Sequence, residues 1–261
     1  MNKLNDNILS ALRRIEQDAS VRILMAVESG SRAWGFASPD SDFDVRFIYV
    51  HRPEWYFKVF QCADTFGYMS DDRMLDISGW ELRKTLQLLS KTNPNLSDWL
   101  LTDRIYFADE MFREEIVKLQ NEFYNPVHAI YHFYNIAKRH DEAYLRRHDC
   151  TLKKFLYFLR GVLACEYIRK HGAHPPVNFL TLTDEVVDNP ARKLDIHELL
   201  SIKAMSKEHD NMPVSDTLRK YVYDIYGTLS EFVPRYRPDL TVSSEKYDRL
   251  DALLFRYAFG Q

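Results

Sequence analysis

The chain contains 261 residues, of which 46% are hydrophobic and 28% are charged, and its formal net charge is −3. This composition is typical of a globular protein and excludes disordered, fibrous and strongly basic chains, so any nucleic-acid binding needs a local basic patch. Three cysteines without paired spacing, a polar N-terminus and the lack of a long apolar run indicate a cytoplasmic protein without a membrane partner.

The first hundred residues alternate between patterns typical of helices and of strands. The patterns predict one helix and then three strands, over residues 5–18, 21–27, 44–50 and 73–77. A second helix is predicted to begin at Gly79, because Ser78 and Glu81 have the spacing of a capping box.

Beyond about residue 110, strand patterns give way to helical periodicity. Helices are predicted over residues 126–148, 150–171, 194–208, 214–233 and 244–257. We therefore expect an α/β domain over residues 1–108 and an α-helical domain over residues 109–261. For residues 180–261 the sequence indicates helices and no particular role.

The most informative segment lies between the first two predicted strands. Asp42 and Asp44 are two residues apart where the second strand begins, so both carboxylates point to the same face of that strand. Two like charges this close repel each other unless a cation lies between them, and Mg²⁺ accepts carboxylate together with phosphate oxygens. The alternative is an Asp-rich turn that leads into a strand and has no chemical role.

The turn after the first strand has the residues of an anion site. Gly30 allows a close backbone approach, Ser31 supplies a hydroxyl, and the free N–H groups of a short helix that follows can face an anion. Arg32 adds a guanidinium suited to phosphate oxygens. Together with the two aspartates, this turn indicates metal-assisted phosphoryl or nucleotidyl transfer. The alternative is a simple turn with a helix cap and a surface arginine.

A third carboxylate is expected from Asp76, which lies between Leu75 and Ile77 on a short apolar strand. Such a charge is costly to bury alone, and a metal shared with Asp42 and Asp44 removes that cost. Asp76 would then bind the metal that activates an incoming hydroxyl and accept the proton of that hydroxyl. The alternative is a strand-end residue that caps the next helix.

These residues occur in strings that resemble a known family. Gly30-Ser31, followed after ten residues by Asp42-x-Asp44, resembles the signature of the DNA polymerase β-like nucleotidyltransferase superfamily. The strings SRAWGFASPDSDFDVRFIYV, LDISGWELRK, KTNPN and KKFLYFLR resemble the bacterial and phage nucleotidyltransferases associated with predicted RNA-repair operons. The resemblance implies an α+β fold in which a polymerase β-like palm, a small mixed sheet with helices, precedes an α-helical domain. It also implies transfer of NMP from an NTP with Mg²⁺, and it does not identify the acceptor.

Three residues of the helix predicted over 150–171 are candidate nucleotide contacts. Lys153, Tyr157 and Arg160 lie at i, i+4 and i+7 beside an apolar arc, where they can bind a triphosphate and stack on a base. Between residues 138 and 170 there are nine Lys or Arg against four Asp or Glu, a local patch suited to an NTP or a nucleic acid. The alternative is a solvated helix flank with interhelical ion pairs.

The sequence thus predicts attack by an acceptor hydroxyl on the α-phosphorus of an NTP, ATP first, with release of pyrophosphate. The three aspartates hold two Mg²⁺ ions, for which Mn²⁺ can substitute, and the NTP lies between the two domains. RNA is the expected acceptor, because the helical half is longer than minimal protein-modifying relatives need. Transfer to a partner protein (AMPylation) and an inactive nucleotide-binding module are the alternatives.

Overall fold

The computed structural model describes residues 3–60, 62–145, 151–207, 214–238 and 245–260. In these residues the protein has a mixed α+β structure with a five-stranded sheet and eleven α-helices, which confirms the predicted fold class. Within the same ranges, no helix is both long enough and apolar enough to span a membrane.

The sheet is mixed, with the strand order β3-β4-β2-β1-β5. Its strands are β1 (Val21–Glu28), β2 (Phe43–His51), β3 (Thr65–Met69), β4 (Leu75–Glu81) and β5 (Ile105–Ala108). β2 and β4 run parallel, whereas the other neighbouring pairs run antiparallel. β1, β2 and β4 confirm the three predicted strands. The edge strands β3 and β5 are not predicted, because both are short, β3 is largely exposed and β5 is only half-buried, so neither has a buried apolar run.

Most of the helices lie where the sequence periodicity predicts them. Their bounds are α1 (Lys3–Ala19), α2 (Gly30–Trp34), α3 (Leu82–Ser90), α4 (Pro94–Leu101), α5 (Glu110–Phe123), α6 (Pro126–His140), α7 (Leu152–His171), α8 (Phe179–Val186), α9 (Pro190–Met205), α10 (Asp216–Phe232) and α11 (Glu245–Phe259). α6 is shorter than predicted and continues as a π-helical turn, Asp141–Leu145. The helix ends predicted at residues 148, 150, 208 and 244 lie outside the described residues.

Helices cover both faces of the sheet and fix the strands that carry the site. α1 packs on one face, while α3, α4, α5 and α11 pack on the other. The buried residues include both predicted apolar stripes, which are Ile8, Leu12 and Ile15 of α1 and Leu82, Leu86 and Leu89 of α3. Burial of each such side chain contributes about 1.5–3 kcal/mol, so the strand ends are held by a well-anchored sheet.

The start of α3 differs from the prediction. β4 continues to Glu81, and α3 begins at Leu82 with Glu81 as its N-cap. Gly79 lies opposite Phe47 in the register of β4 and β2, and a Cβ on Gly79 would be 2.4 Å from Cζ of Phe47. Gly79 is therefore a strand residue that makes room for an aromatic ring, and the capping-box spacing was misleading.

The contacts divide the chain into two compact units. The first contains the sheet with α1, α3, α4, α5 and α11, and the second contains α6 to α10 together with the loop Trp34–Ser41. The chain thus leaves the first unit after Ala33 and returns to it at Asp42. This division differs from the boundary predicted at residue 108, because α5 and α11 pack on the sheet.

α7 is the central helix of the second unit and packs against α6, α8 and α10. All residues of its predicted apolar arc are buried, namely Leu152, Phe155, Leu156, Leu159, Val162 and Leu163. The helix begins at an N-cap, Thr151, whose hydroxyl accepts a hydrogen bond from the backbone N–H of Lys154, and it ends at Gly172 in the left-handed region.

Candidate active site

Asp44 lies against the turn that follows β1. Its backbone is held on both sides, because its N–H donates to Oε1 of Glu28 (2.9 Å) and its carbonyl accepts from the N–H of Ser29 (2.8 Å). Gly30 has a φ of +60°, and a Cβ on this residue would lie 2.1 Å from Oδ2 of Asp44. Glycine is therefore required at position 30 for Asp44 to keep its place.

Asp44 on β2 lies directly opposite Asp76 on β4 in the parallel register, and we call these two residues the acidic pair. Arg46 joins them, since its Nη2 donates to Oδ1 of Asp44 (2.7 Å) and to Oδ2 of Asp76 (2.8 Å). The three side chains are only 16–28% exposed, so their attraction is less screened than at an open surface. The structure therefore brings two of the three predicted carboxylates together, and their catalytic roles stay predictions.

Arg46 is not among the residues predicted from the sequence. A signal for it exists, because residues two apart in a strand share a face and Arg46 follows Asp44 at this spacing. The Arg46 Nη1 also donates to the backbone carbonyl of Asp76 (3.0 Å), which ties β2 to β4. The guanidinium places a positive charge between two carboxylates and so reduces their repulsion.

Asp42, the third predicted carboxylate, comes immediately before β2. Its backbone carbonyl accepts a hydrogen bond from Nε of Arg32 (2.9 Å). Across the described ranges, no group of three or more His, Cys, Asp or Glu side chains is placed to hold a metal ion. The acidic pair alone fits Mg²⁺, which is commonly held by one or two carboxylates plus phosphate oxygens. A metal site that also includes Asp42 stays a prediction.

Gly30, Ser31 and Arg32 begin α2, the short helix expected after the turn. Ser31 is buried in this helix. The Arg32 guanidinium lies over the ring of Phe43, 3.7 Å from its centroid. Gly30 thus approaches the acidic pair closely, and the predicted phosphate contacts of Ser31 and Arg32 stay predictions.

Glu28 is a further site residue that the sequence patterns do not mark, although a charge at the end of a buried strand is a signal of function. It is buried, and its second carboxylate oxygen accepts a hydrogen bond from the hydroxyl of Tyr106. Burial raises the pKa of Glu28 above its ordinary value of 4.5, while the hydrogen bonds from Tyr106 and from the Asp44 N–H act in the opposite direction. Glu28 is thus a positioning residue that holds the Asp44 backbone.

Lys153, Tyr157 and Arg160, the predicted stripe on α7, lie in the second unit. The rings of Tyr157 and Trp34 are in edge contact, with centroids 5.1 Å apart. The Arg160 guanidinium is buried and lies 4.2 Å from the Trp34 ring centroid. Part of the stripe therefore packs against the loop Trp34–Ser41, and the predicted nucleotide contacts of these residues stay predictions.

Lys203 of α9 holds the same loop, and no sequence pattern marks it, because a lysine in a helix is ordinarily exposed. Its side chain is only 2% exposed, and its Nζ donates a hydrogen bond to Oγ of Ser38. The N–H of Ser38 donates to Oγ of Ser41 (3.0 Å). This buried network therefore fixes the end of the loop, up to Ser41.

A small mixed sheet with paired carboxylates beside a Gly-Ser turn is the arrangement expected of a polymerase β-like nucleotidyltransferase palm. Residues 4–256 match the model of the RNA repair pathway DNA polymerase beta family, RlaP. Because this match covers nearly the whole chain, the protein belongs to that family. Family and fold together thus indicate a polymerase β-like nucleotidyltransferase, in agreement with the resemblance seen in the sequence.

Two known proteins are similar to this chain. YcgL of Bacillus subtilis (strain 168), described as an uncharacterized protein, is 44% identical over 219 residues, which are 84% of this chain and 84% of YcgL. The crystal structure of a nucleotidyltransferase-like protein from Exiguobacterium sibiricum 255-15 aligns with 95% of this chain and 78% of its own, at 15% identity and a TM-score of 0.33.

Proposed function

We propose that this protein is a Mg²⁺-dependent nucleotidyltransferase that transfers NMP from an NTP, ATP first, to a hydroxyl of RNA and releases pyrophosphate. The observation that carries this proposal is the acidic pair, in register on two parallel strands, with the Gly30 turn packed against Asp44. The description of the family as part of an RNA repair pathway supports RNA as the acceptor.

The residues of the first unit take the following roles in this proposal. Asp44 and Asp76 hold Mg²⁺, with Asp42 as the third carboxylate if two ions bind. Bound Mg²⁺ would neutralise the charge that develops on the phosphates and activate the acceptor hydroxyl. Asp76 accepts the proton of that hydroxyl. The backbone of the Gly30 turn, with Ser31 and Arg32, orients the β- and γ-phosphates.

An inactive nucleotide-binding module is the second candidate, and Arg46 is the observation that favours it. A guanidinium already bonds one oxygen of each carboxylate in the acidic pair. If Arg46 holds these oxygens permanently, a divalent cation has to bind with fewer carboxylate ligands. Transfer to a protein hydroxyl is a third outcome that the same experiment separates.

The test is to incubate the full chain with Mg²⁺ and each labelled NTP, together with either total RNA or cell extract. We expect label in RNA, and we expect Asp44→Asn and Asp76→Asn to abolish it. Asp71→Asn, the same substitution in the exposed turn between β3 and β4, is the matched control and should label RNA normally. Label in protein instead of RNA would mean that the acceptor is a protein. No label, together with no metal-dependent thermal shift by NTP, would mean that the protein is an inactive module.

A further inference from the structure

A cavity lies at the end of β1 and β2 that is opposite the acidic pair. It has a volume of about 550 Å³, within the size range of small-molecule sites. In the antiparallel register, Val21 pairs with His51 at this end, and Glu28 pairs with Val45 at the end near the acidic pair. At about 3.3 Å per residue, the two ends of β1 are roughly 23 Å apart. The cavity is therefore separate from the candidate active site.

Arginines dominate the charge of this cavity. Arg22 and Arg52 line it, and Nη2 of Arg22 is fixed by donating to the backbone carbonyl of Tyr257 (2.8 Å). Within the residues that the structure describes, the Arg52 guanidinium makes no hydrogen bond or ion pair. Glu16 is the acidic residue of the lining, and its Oε1 already accepts from the backbone N–H of Ile23 (2.7 Å).

His51 adds an imidazole ring to the lining of the cavity. Its Nε2 is buried and makes no hydrogen bond within the described part of the chain. Its ring stacks on Trp55, with centroids 4.3 Å apart and planes 12° apart, so it cannot turn freely. Because this nitrogen is covered by the protein, the arginines are the groups of the lining that a ligand can reach.

A separate groove lies along α1 beside the cavity. This groove, of about 400 Å³, is lined by Arg13 and Arg14 and shares Gln17 with the cavity. Within the described ranges, neither arginine has an acidic partner. Four arginines therefore line two hollows that have Gln17 in common, which suits a ligand with several phosphates better than one with a single phosphate.

We propose that this basic cavity and the α1 groove form a second site that binds phosphate groups. Guanidinium groups match phosphate oxygens in pairs. The four arginines spread over the two hollows favour a polynucleotide strand as the source of the phosphates, and a free mononucleotide is the other source of the same chemistry. This site does not depend on the reaction proposed for the acidic pair.

The experiment measures binding of two probes to the full chain without any NTP. One probe is a labelled single-stranded RNA of about 20 nucleotides, long enough to cover several phosphates, and the other is AMP. The main variant is Arg22→Gln with Arg52→Gln. Arg52→Gln alone is the second variant, because loss of the Arg22 bond to Tyr257 could destabilise the fold. Arg235→Gln with Arg237→Gln, two exposed arginines of the second unit, is the control with the same loss of charge.

We expect the double variant to bind the RNA more weakly and with a smaller salt dependence, while the control binds it like the wild type. Loss of two phosphate contacts to a single strand lowers the slope of log Kd against log salt concentration by about 1.4. The Kd of the double variant divided by the Kd of the wild type should therefore fall about sevenfold when the salt is raised from 50 to 200 mM. Weaker AMP binding with unchanged RNA binding would identify a mononucleotide as the source. Both affinities unchanged, or lowered equally in the control, would overturn the proposal.

Discussion

Substitution of Gly30 by alanine tests whether the turn after β1 sets the position of the acidic pair. Two separate penalties act on this substitution. An L-residue at a φ of +60° costs about 1–2 kcal/mol, because its Cβ meets the following carbonyl oxygen. The new Cβ would also lie 2.1 Å from Oδ2 of Asp44, so the carboxylate has to move.

The second penalty can be estimated from what Asp44 would lose. Its charged hydrogen bond to Arg46 is 2.7 Å long and largely shielded from water, and bonds of this kind are worth about 1.5–3 kcal/mol. We therefore expect Gly30→Ala to lower the free energy of unfolding by about 2.5–5 kcal/mol in total. Because a displacement of about 1 Å can slow a reaction 100-fold, nucleotide transfer should fall by at least that factor.

Two controls separate strain from collision. Gly172 has a φ of +62°, and a Cβ on it would meet nothing within 4 Å, so Gly172→Ala should show the strain alone. In an Asp44→Ala background the carboxylate is absent, and Gly30→Ala should then cost only about 1–2 kcal/mol. Urea unfolding of the full chain, followed by fluorescence and by circular dichroism, gives these differences. If Gly30→Ala costs the same with and without the Asp44 carboxylate, the close approach does not hold in solution.

Three further substitutions probe the surroundings of the site. Arg46→Gln should lower the free energy of unfolding by about 1.5–3 kcal/mol, because the acidic pair loses the guanidinium that it shares. Mg²⁺ should then raise the melting temperature of the variant more than that of the wild type. An equal rise in both proteins would contradict this prediction. Glu28→Gln should remove one source of the pH dependence of stability. Because the pKa of Glu28 is raised in the folded state, its carboxyl stabilises the fold fully below about pH 4.5, and this contribution is lost as the pH rises through the folded-state pKa. Urea unfolding from pH 4 to 7 should therefore show the wild type losing stability relative to the variant, and parallel curves would refute the assignment. Gly79→Ala should cost about 1–3 kcal/mol by overpacking against the ring of Phe47, and Phe47→Leu should relieve most of this loss.

The parts of the fold that follow from local patterns could be predicted from the sequence. β1 and β2 are buried apolar runs, and the apolar residues of α1 have helical spacing, so the local pattern predicts each element. Gly79 shows where such patterns fail: the capping-box spacing is real, but pairing with β2 and the close contact with Phe47 decide that the residue belongs to a strand. The edge strand β3 likewise depends on its pairing with β4 rather than on its own residues.

The candidate site likewise contains residues that local patterns predict and residues that depend on distant contacts. Asp44 and Asp76 are predictable because each is a charged residue on an apolar strand pattern, and the parallel register then places them opposite each other. The loop before Asp42 has a different support, since Lys203 donates a hydrogen bond to Ser38 from 165 residues further along the chain. Such a contact leaves no trace in the local sequence, because a lysine in a helix is ordinarily a surface residue. The acidic pair is thus fixed by pairing within the sheet, whereas the loop Trp34–Ser41 is fixed by a contact within the second unit. Strand patterns predict the first kind of support, and no local pattern predicts the second.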